Sequence, residues 1–218
     1  MRLTAVRHAN RGGKNRNKII ITLLFFALGF LLGMMAKGLD VTAANRLPVI
    51  LQKIDIGNLF GRTTVWALIA LTIALFSKSP LRAAVNVLLF FVGMLGSYCL
   101  FSAVWAGFML DTSYLMIWVV LTAVSPVLAY IAWYARGRGL LGTIVSALII
   151  AYFILEAFSF NAGLEYFDVA YSVVEVFFLV AVISMLYVRW NQCFISVGAA
   201  VALAYLVKLT GFSIPYVL

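Results

Sequence analysis

Seven apolar stretches follow one another along this chain, at about 19–36, 63–77, 83–108, 116–135, 140–158, 169–188 and 193–212. A helix that crosses the hydrocarbon core of a bilayer needs roughly 20 mostly apolar residues, each rising about 1.5 Å. Inside that core the backbone must satisfy its own hydrogen bonds, which a helix does. Seven such stretches occupy roughly two-thirds of the 218 residues, so no separate soluble domain fits beside them. The chain is 65% hydrophobic and 11% charged, whereas a soluble domain is nearer half apolar. The expected fold is therefore an all-α integral membrane protein, a seven-helix bundle over residues 19–218 behind a basic tail, residues 1–18. The first apolar run is too long for the core of a signal peptide, and Thr42-Ala43-Ala44 is a poor cleavage site, so it reads as a retained helix.

Charge gives the expected direction of each crossing. The tail (Arg2, Arg7, Arg11, Lys14, Arg16, Lys18) and alternate connections (Lys78 and Arg82, Arg136 and Arg138, Arg189) carry eleven of the sixteen basic residues and no acid. The opposite segments carry Lys37, Arg46, Lys53, Arg62 and Lys208, and all seven acids: Asp40, Asp55, Asp111, Glu156, Glu165, Asp168 and Glu175. Lysine and arginine are retained in the cytoplasm, which puts the N-terminus inside and, after seven crossings, the C-terminus outside. The net charge of +9 is thus expected to serve topology and contact with anionic lipid headgroups at the basic N-terminus, not nucleic acid. The size, basic leader and outer acids look like those of small polytopic inner-membrane proteins of bacteria.

Between spans one and two, Leu47, Ile50, Leu51 and Ile54 recur at helical spacing with polar residues between them, and Pro48 suits a first turn. This predicts one amphipathic helix over about 47–60 lying on the outer interface. Small residues mark expected packing faces: Gly29 and Gly33 in span one, Gly93 and Ser97 in span three, Ser196 and Ala200 in span seven. Four-residue spacing of small side chains lets helix backbones approach closely, within one chain or between copies. Pro126, after Ser125 in the middle of span four, leaves the Thr122 carbonyl without its usual helical donor. Such a break is either a kink compensated by a nearby hydroxyl or part of a midplane site.

The residues most suggestive of function lie toward the outer ends of spans five to seven. Glu156, Asp168, Glu175 and Lys208 are ionisable, and Tyr171 and Ser172 share the same stretch of span six. Glu175 stands roughly 10 Å into its span, too deep to reach the headgroups easily. These residues form either structural ion pairs or an outward-facing pathway for a cation, an amine or a proton. Cys99 and Cys193 lie toward opposite faces and in no metal-binding spacing, so neither a disulfide nor a metal is expected.

No nucleotide loop, metalloprotease or serine-hydrolase motif occurs, and the only histidine, His8, lies in the tail. Helix count, an inside N-terminus and Lys208 resemble the inverted seven-helix rhodopsins, which would imply a retinal Schiff base. Lys208 lies too near the outer end for that and span three offers no carboxylate counter-ion, so no cofactor is expected. The remaining readings are a small transporter or permease-like subunit, an accessory subunit held in a larger complex by its small-residue faces, and an intramembrane lipid-processing enzyme. The first two imply a membrane or cytoplasmic partner subunit; no enzyme motif supports the third.

Overall fold

The computed structural model describes residues 7–9, 15–54, 56–106, 111–158 and 169–210. Every regular element among them is helical: α1 (Asn15–Asp40), α2 (Val49–Lys53), α3 (Ile56–Gly61), α4 (Thr63–Phe76), α5 (Pro80–Phe101), α6 (Thr112–Ala132), α7 (Leu140–Ala157), α8 (Val169–Leu186) and α9 (Trp190–Leu209). A π-turn (Ser102–Ala106) prolongs α5, and a 3-10 turn (Trp133–Arg136) prolongs α6.

Five of these segments are long and apolar enough to cross a membrane: Asn17–Asp40, Pro80–Val104, Thr112–Arg136, Leu140–Ala157 and Trp190–Leu209. Of the two other expected spans, one is the shorter apolar helix Thr63–Phe76, and the other falls on α8, whose apolar stretch Val173–Leu186 follows residues whose side chains are not described. The first has 14 residues, about 21 Å of helix against a hydrocarbon core of about 30 Å. It cannot merge with α3 because Arg62 between them is extended (φ −83°, ψ 145°), and Ser77 ends it in the same conformation.

The interfacial helix expected over 47–60 is divided. Val49–Lys53 and Ile56–Gly61 are separate helices, and Ile54 closes the first at φ −90°, ψ 1°. Asp55, Gly57, Asn58 and Gly61 are weak helix formers, and they leave too little propensity to carry one helix through. The second piece turns Leu59 inward and packs against α1 and α4. The first buries nothing, and Ile50 is 75% exposed.

The helices group into two units. In the first, which runs to Tyr130 in α6, α1 packs most extensively on α5. A Cβ built on Gly29 falls on the Phe90 carbonyl, one on Gly33 falls on the Met94 carbonyl and Ser97 Oγ, and one on Gly93 falls on the Phe26 carbonyl. The two helices therefore run parallel with their backbones touching, and each of these positions has room for hydrogen only. At their N-terminal ends the contact becomes polar. Thr22 Oγ1 donates to Asn86 Oδ1 at 2.8 Å, and Asn86 Nδ2 donates to Ser77 Oγ at 3.2 Å. Arg82 reaches Thr22 Oγ1 at 2.5 Å and also the Lys18 carbonyl. α5 starts at Pro80, three residues before the expected span, because Ser79 Oγ accepts from the Arg82 amide at 3.3 Å and proline suits the first turn.

In the second unit α7 packs against both α8 and α9. Gln192 Nε2 donates to the Gly137 carbonyl at 2.8 Å, and Ser196 Oγ donates to the Thr143 carbonyl at 3.3 Å. Residues near the start of α9 thus meet residues at the start of α7, so this pair is parallel too. Gln192, Ser196, Ala200 and Ala204 form one buried strip along α9. The turn before α7 is closed by Gly142, whose hypothetical Cβ meets the Gly137 carbonyl, and by Ser146 Oγ, which donates to the Ala135 carbonyl at 3.0 Å.

Candidate functional site

Two of the carboxylates read from the sequence, Glu156 and Glu175, fall on described helices of the second unit. Glu156, 9% exposed, is in the last turn of α7, and Glu175, 4% exposed, is in α8, which packs against α7. Lys208 is in the last turn of α9 and exposed. The contact of Ser196 with Thr143 fixes the register of the parallel pair at 53 positions. Carried forward, that register brings Lys208 to the height of Leu155 and Glu156. Each of these three residues has an interaction partner within the structure. A carboxylate with almost no access to solvent, on a helix with no other charge, is costly unless its neighbours hold its charge or its proton. Asp168 and Glu165 lie outside the described residues, as do the side chains of Tyr171 and Ser172.

The helix break in α6 is locally repaired. Ser125 Oγ donates to the Thr122 carbonyl at 2.8 Å, the group that Pro126 deprives of an amide partner. Trp118, Thr122, Ser125 and Ala129 form the buried strip of this helix. At Pro126 the carbonyl left without an amide is thus met by a hydroxyl within the same helix. Thr122 Oγ1 and Ser102 Oγ are buried without a hydrogen-bond partner among the described residues.

A second polar group stands where sequence reading assigned only a loop charge. Lys37, in the last turn of α1, is 2% exposed, and its Nζ lies 2.6 Å from Asp40 Oδ2, whose side chain is 52% exposed. Tyr98 of α5 donates to the same carboxylate oxygen at 3.1 Å, and the ammonium lies 5.0 Å from the centre of the tyrosine ring. A cation at a helix C-terminus is also favoured by the helix dipole. Beside this triad is a cavity of about 20 Å3, space for a single water molecule. It is lined by Ala36, Met94, Leu95 and Leu115 and by the aromatics Phe60, Trp66, Tyr98, Tyr114 and Trp118. Trp66 is the centre of that group: its ring meets Trp118 edge-on at 6.3 Å and Phe60 at 5.8 Å, and its Nε1 donates to the Phe60 carbonyl at 2.8 Å. The i, i+3 spacing of Lys37 and Asp40 was the visible signal; the partner in α5 required the helix register.

Cys99 and Cys193 are free thiols, and among the described residues no three His, Cys, Asp or Glu side chains gather to hold a metal ion. The chain matches no protein-family model, no curated protein and no solved structure.

Proposed function

We propose that this chain is a seven-span protein of a cell membrane, with its N-terminus inside, and that it acts as a small carrier or permease-like subunit moving a cation or proton. The observation that carries this reading is the burial of Glu175 and Glu156 on two packed, otherwise uncharged helices. Ionisable groups in such a setting characteristically mark ion or proton pathways. The threading supports the span count. α1 pairs parallel with α5, and α7 with α9, as alternate crossings of a chain that reverses at each span must do. The shorter apolar helix Thr63–Phe76 crosses if the bilayer thins locally or flanking residues reach for the headgroups.

The test is proteoliposome flux, with a pH-sensitive dye for protons and a panel of monovalent and amine cations. Flux by the native chain that falls at least about tenfold in Glu175→Gln supports the proposal. Flux that is unchanged in Glu175→Gln and in Glu156→Gln refutes it. Cysteine-accessibility mapping from both sides tests the orientation: position 18 should label only from inside and position 208 only from outside.

A second reading, an accessory subunit of a larger complex, is favoured by α1. Its glycine face is consumed by α5, while Ile19, Leu23, Leu24 and Leu31 remain exposed for lipid or a partner helix. Native mass in a mild detergent decides this point, since a stoichiometric second protein would establish a subunit.

A further inference from the structure

We propose that the aromatic cavity of the first unit binds a single ammonium ion. Five of the nine residues that line it are aromatic: Phe60, Trp66, Tyr98, Tyr114 and Trp118. An aromatic ring is negative on its face, and an ammonium group placed over it is attracted. The polar hydrogens of two of these rings are already committed. Trp66 Nε1 donates to the Phe60 carbonyl at 2.8 Å, and the Tyr98 hydroxyl donates to Asp40 Oδ2 at 3.1 Å. What Trp66 and Tyr98 still offer a guest is a ring face and the lone pairs of the tyrosine oxygen. These two walls accept hydrogen bonds and do not give them, which suits a guest that only donates. The fold already contains one contact of this kind: Lys37 Nζ lies 5.0 Å from the centre of the Tyr98 ring.

Size narrows the guest. The cavity of about 20 Å3 takes one molecule the size of water, which an ammonium ion is, and each added methyl group exceeds that space. Water itself fits the chemistry less well, because a buried water needs roughly 2–4 hydrogen-bond partners. The lining side chains contain only two oxygens, the hydroxyls of Tyr98 and Tyr114. An alkali ion gives up its hydration shell where a ring of oxygens replaces it, so two oxygens serve potassium poorly. Ammonium differs because its N–H bonds can also point at ring faces. The positive charge of Lys37 stands beside the cavity, not in its lining, and Asp40 Oδ2 at 2.6 Å matches it. Trp66 and Trp118 are buried, while Tyr98 and Tyr114 are half-buried, so the tyrosines form the side nearer the surface.

This site belongs to the first unit alone, whereas Glu156 and Glu175 belong to the second, and it requires neither transport nor a membrane orientation. Binding can be present with flux absent, and the reverse. The experiment is isothermal titration calorimetry of the full chain in nanodiscs, at mildly acidic pH and constant ionic strength, with ammonium, methylammonium, tetramethylammonium and potassium chlorides in separate runs. The expected result is saturable binding of one ammonium ion, at least about tenfold tighter than that of any other cation in the set. Trp118→Leu should weaken it at least about tenfold, and Trp118→Phe, which keeps a ring, should restore most of the loss. Tyr114→Leu, at the half-buried side, should also weaken it and remains informative if Trp118→Leu does not fold. Trp190→Leu, which removes an exposed ring of the second unit, should leave it unchanged. No saturable ammonium binding in the native chain, equal binding of potassium or tetramethylammonium, or binding that ignores both Trp118→Leu and Tyr114→Leu would overturn the proposal.

Discussion

Replacing Gly33 by alanine adds one methyl group at the crossing of α1 and α5. The new Cβ falls well inside contact distance of the Met94 carbonyl oxygen and Ser97 Oγ. Neither can step aside alone: one is backbone, and the other is a fully buried hydroxyl donating to the Met94 carbonyl at 3.0 Å. The helices must separate by about 1 Å or more to restore ordinary contact, and a gap of that size forfeits roughly a quarter to a half of each lost dispersion contact. Overpacked substitutions of this kind cost about 1–3 kcal/mol, while alanine returns up to about 1 kcal/mol of helix propensity. The net loss is about 1–2 kcal/mol. Gly96 provides the control, since it lies three residues from Gly93 on the same helix and its Cβ would meet nothing within 4 Å. Gly96→Ala should be neutral or gain up to about 1 kcal/mol. At about 2–4 °C per kcal/mol for a chain of this size, the two variants should melt roughly 2–12 °C apart in the same detergent. A Gly33→Ala protein that melts at or above the native chain, or a Gly96→Ala protein that falls as far, would refute the close crossing.

Three further outcomes follow from the polar contacts. Ser125→Ala removes the donor to the Thr122 carbonyl and should cost about 1 kcal/mol in thermal denaturation; the loss should shrink when Pro126→Ala supplies a backbone amide instead, so the pair should be non-additive. Asp40→Asn takes the carboxylate from the buried Lys37 and should cost about 1–3 kcal/mol, discounted for the exposure of Asp40, with most of the loss recovered by adding Lys37→Met. Asn86→Ala withdraws the link between Thr22 and Ser77 and should cost about 1–3 kcal/mol, read as an earlier unfolding midpoint in a denaturing-detergent titration.

The helices of this protein were visible in the sequence because apolar run length is a local property. α7 ends within one residue of its expected position, and α9 is displaced by three residues at each end. The start of α5 was missed because the Ser79 cap and Pro80 hold the helix open toward polar residues that hydropathy alone discards. The interfacial segment was misread because its apolar spacing continued across Asp55 and Gly57, where backbone propensity prevails. Of the glycine positions, spacing indicated that something packs closely but not what; the structure places α5 against Gly29 and Gly33. The Lys37–Asp40–Tyr98 group was half legible. Two of its members are a turn apart, while the third lies 58 residues from Asp40 and meets it only through the α1–α5 register.

That register also sets a schedule for biogenesis. The groove at Gly29 is complete only when Phe90 arrives, 61 residues later in the chain. At about 5–20 residues synthesised per second, the first helix waits roughly 3–12 s in the bilayer before its partner exists. During that interval Lys37, in the last turn of the helix, already has Asp40 one turn away on the same helix. The charge therefore arrives with a local counter-ion, and α1 can be inserted alone, with Tyr98 recruited afterwards. A ribosome pausing between these two segments would prolong the exposure of a bare glycine seam, the moment at which a foreign helix has its best chance of taking the place of α5.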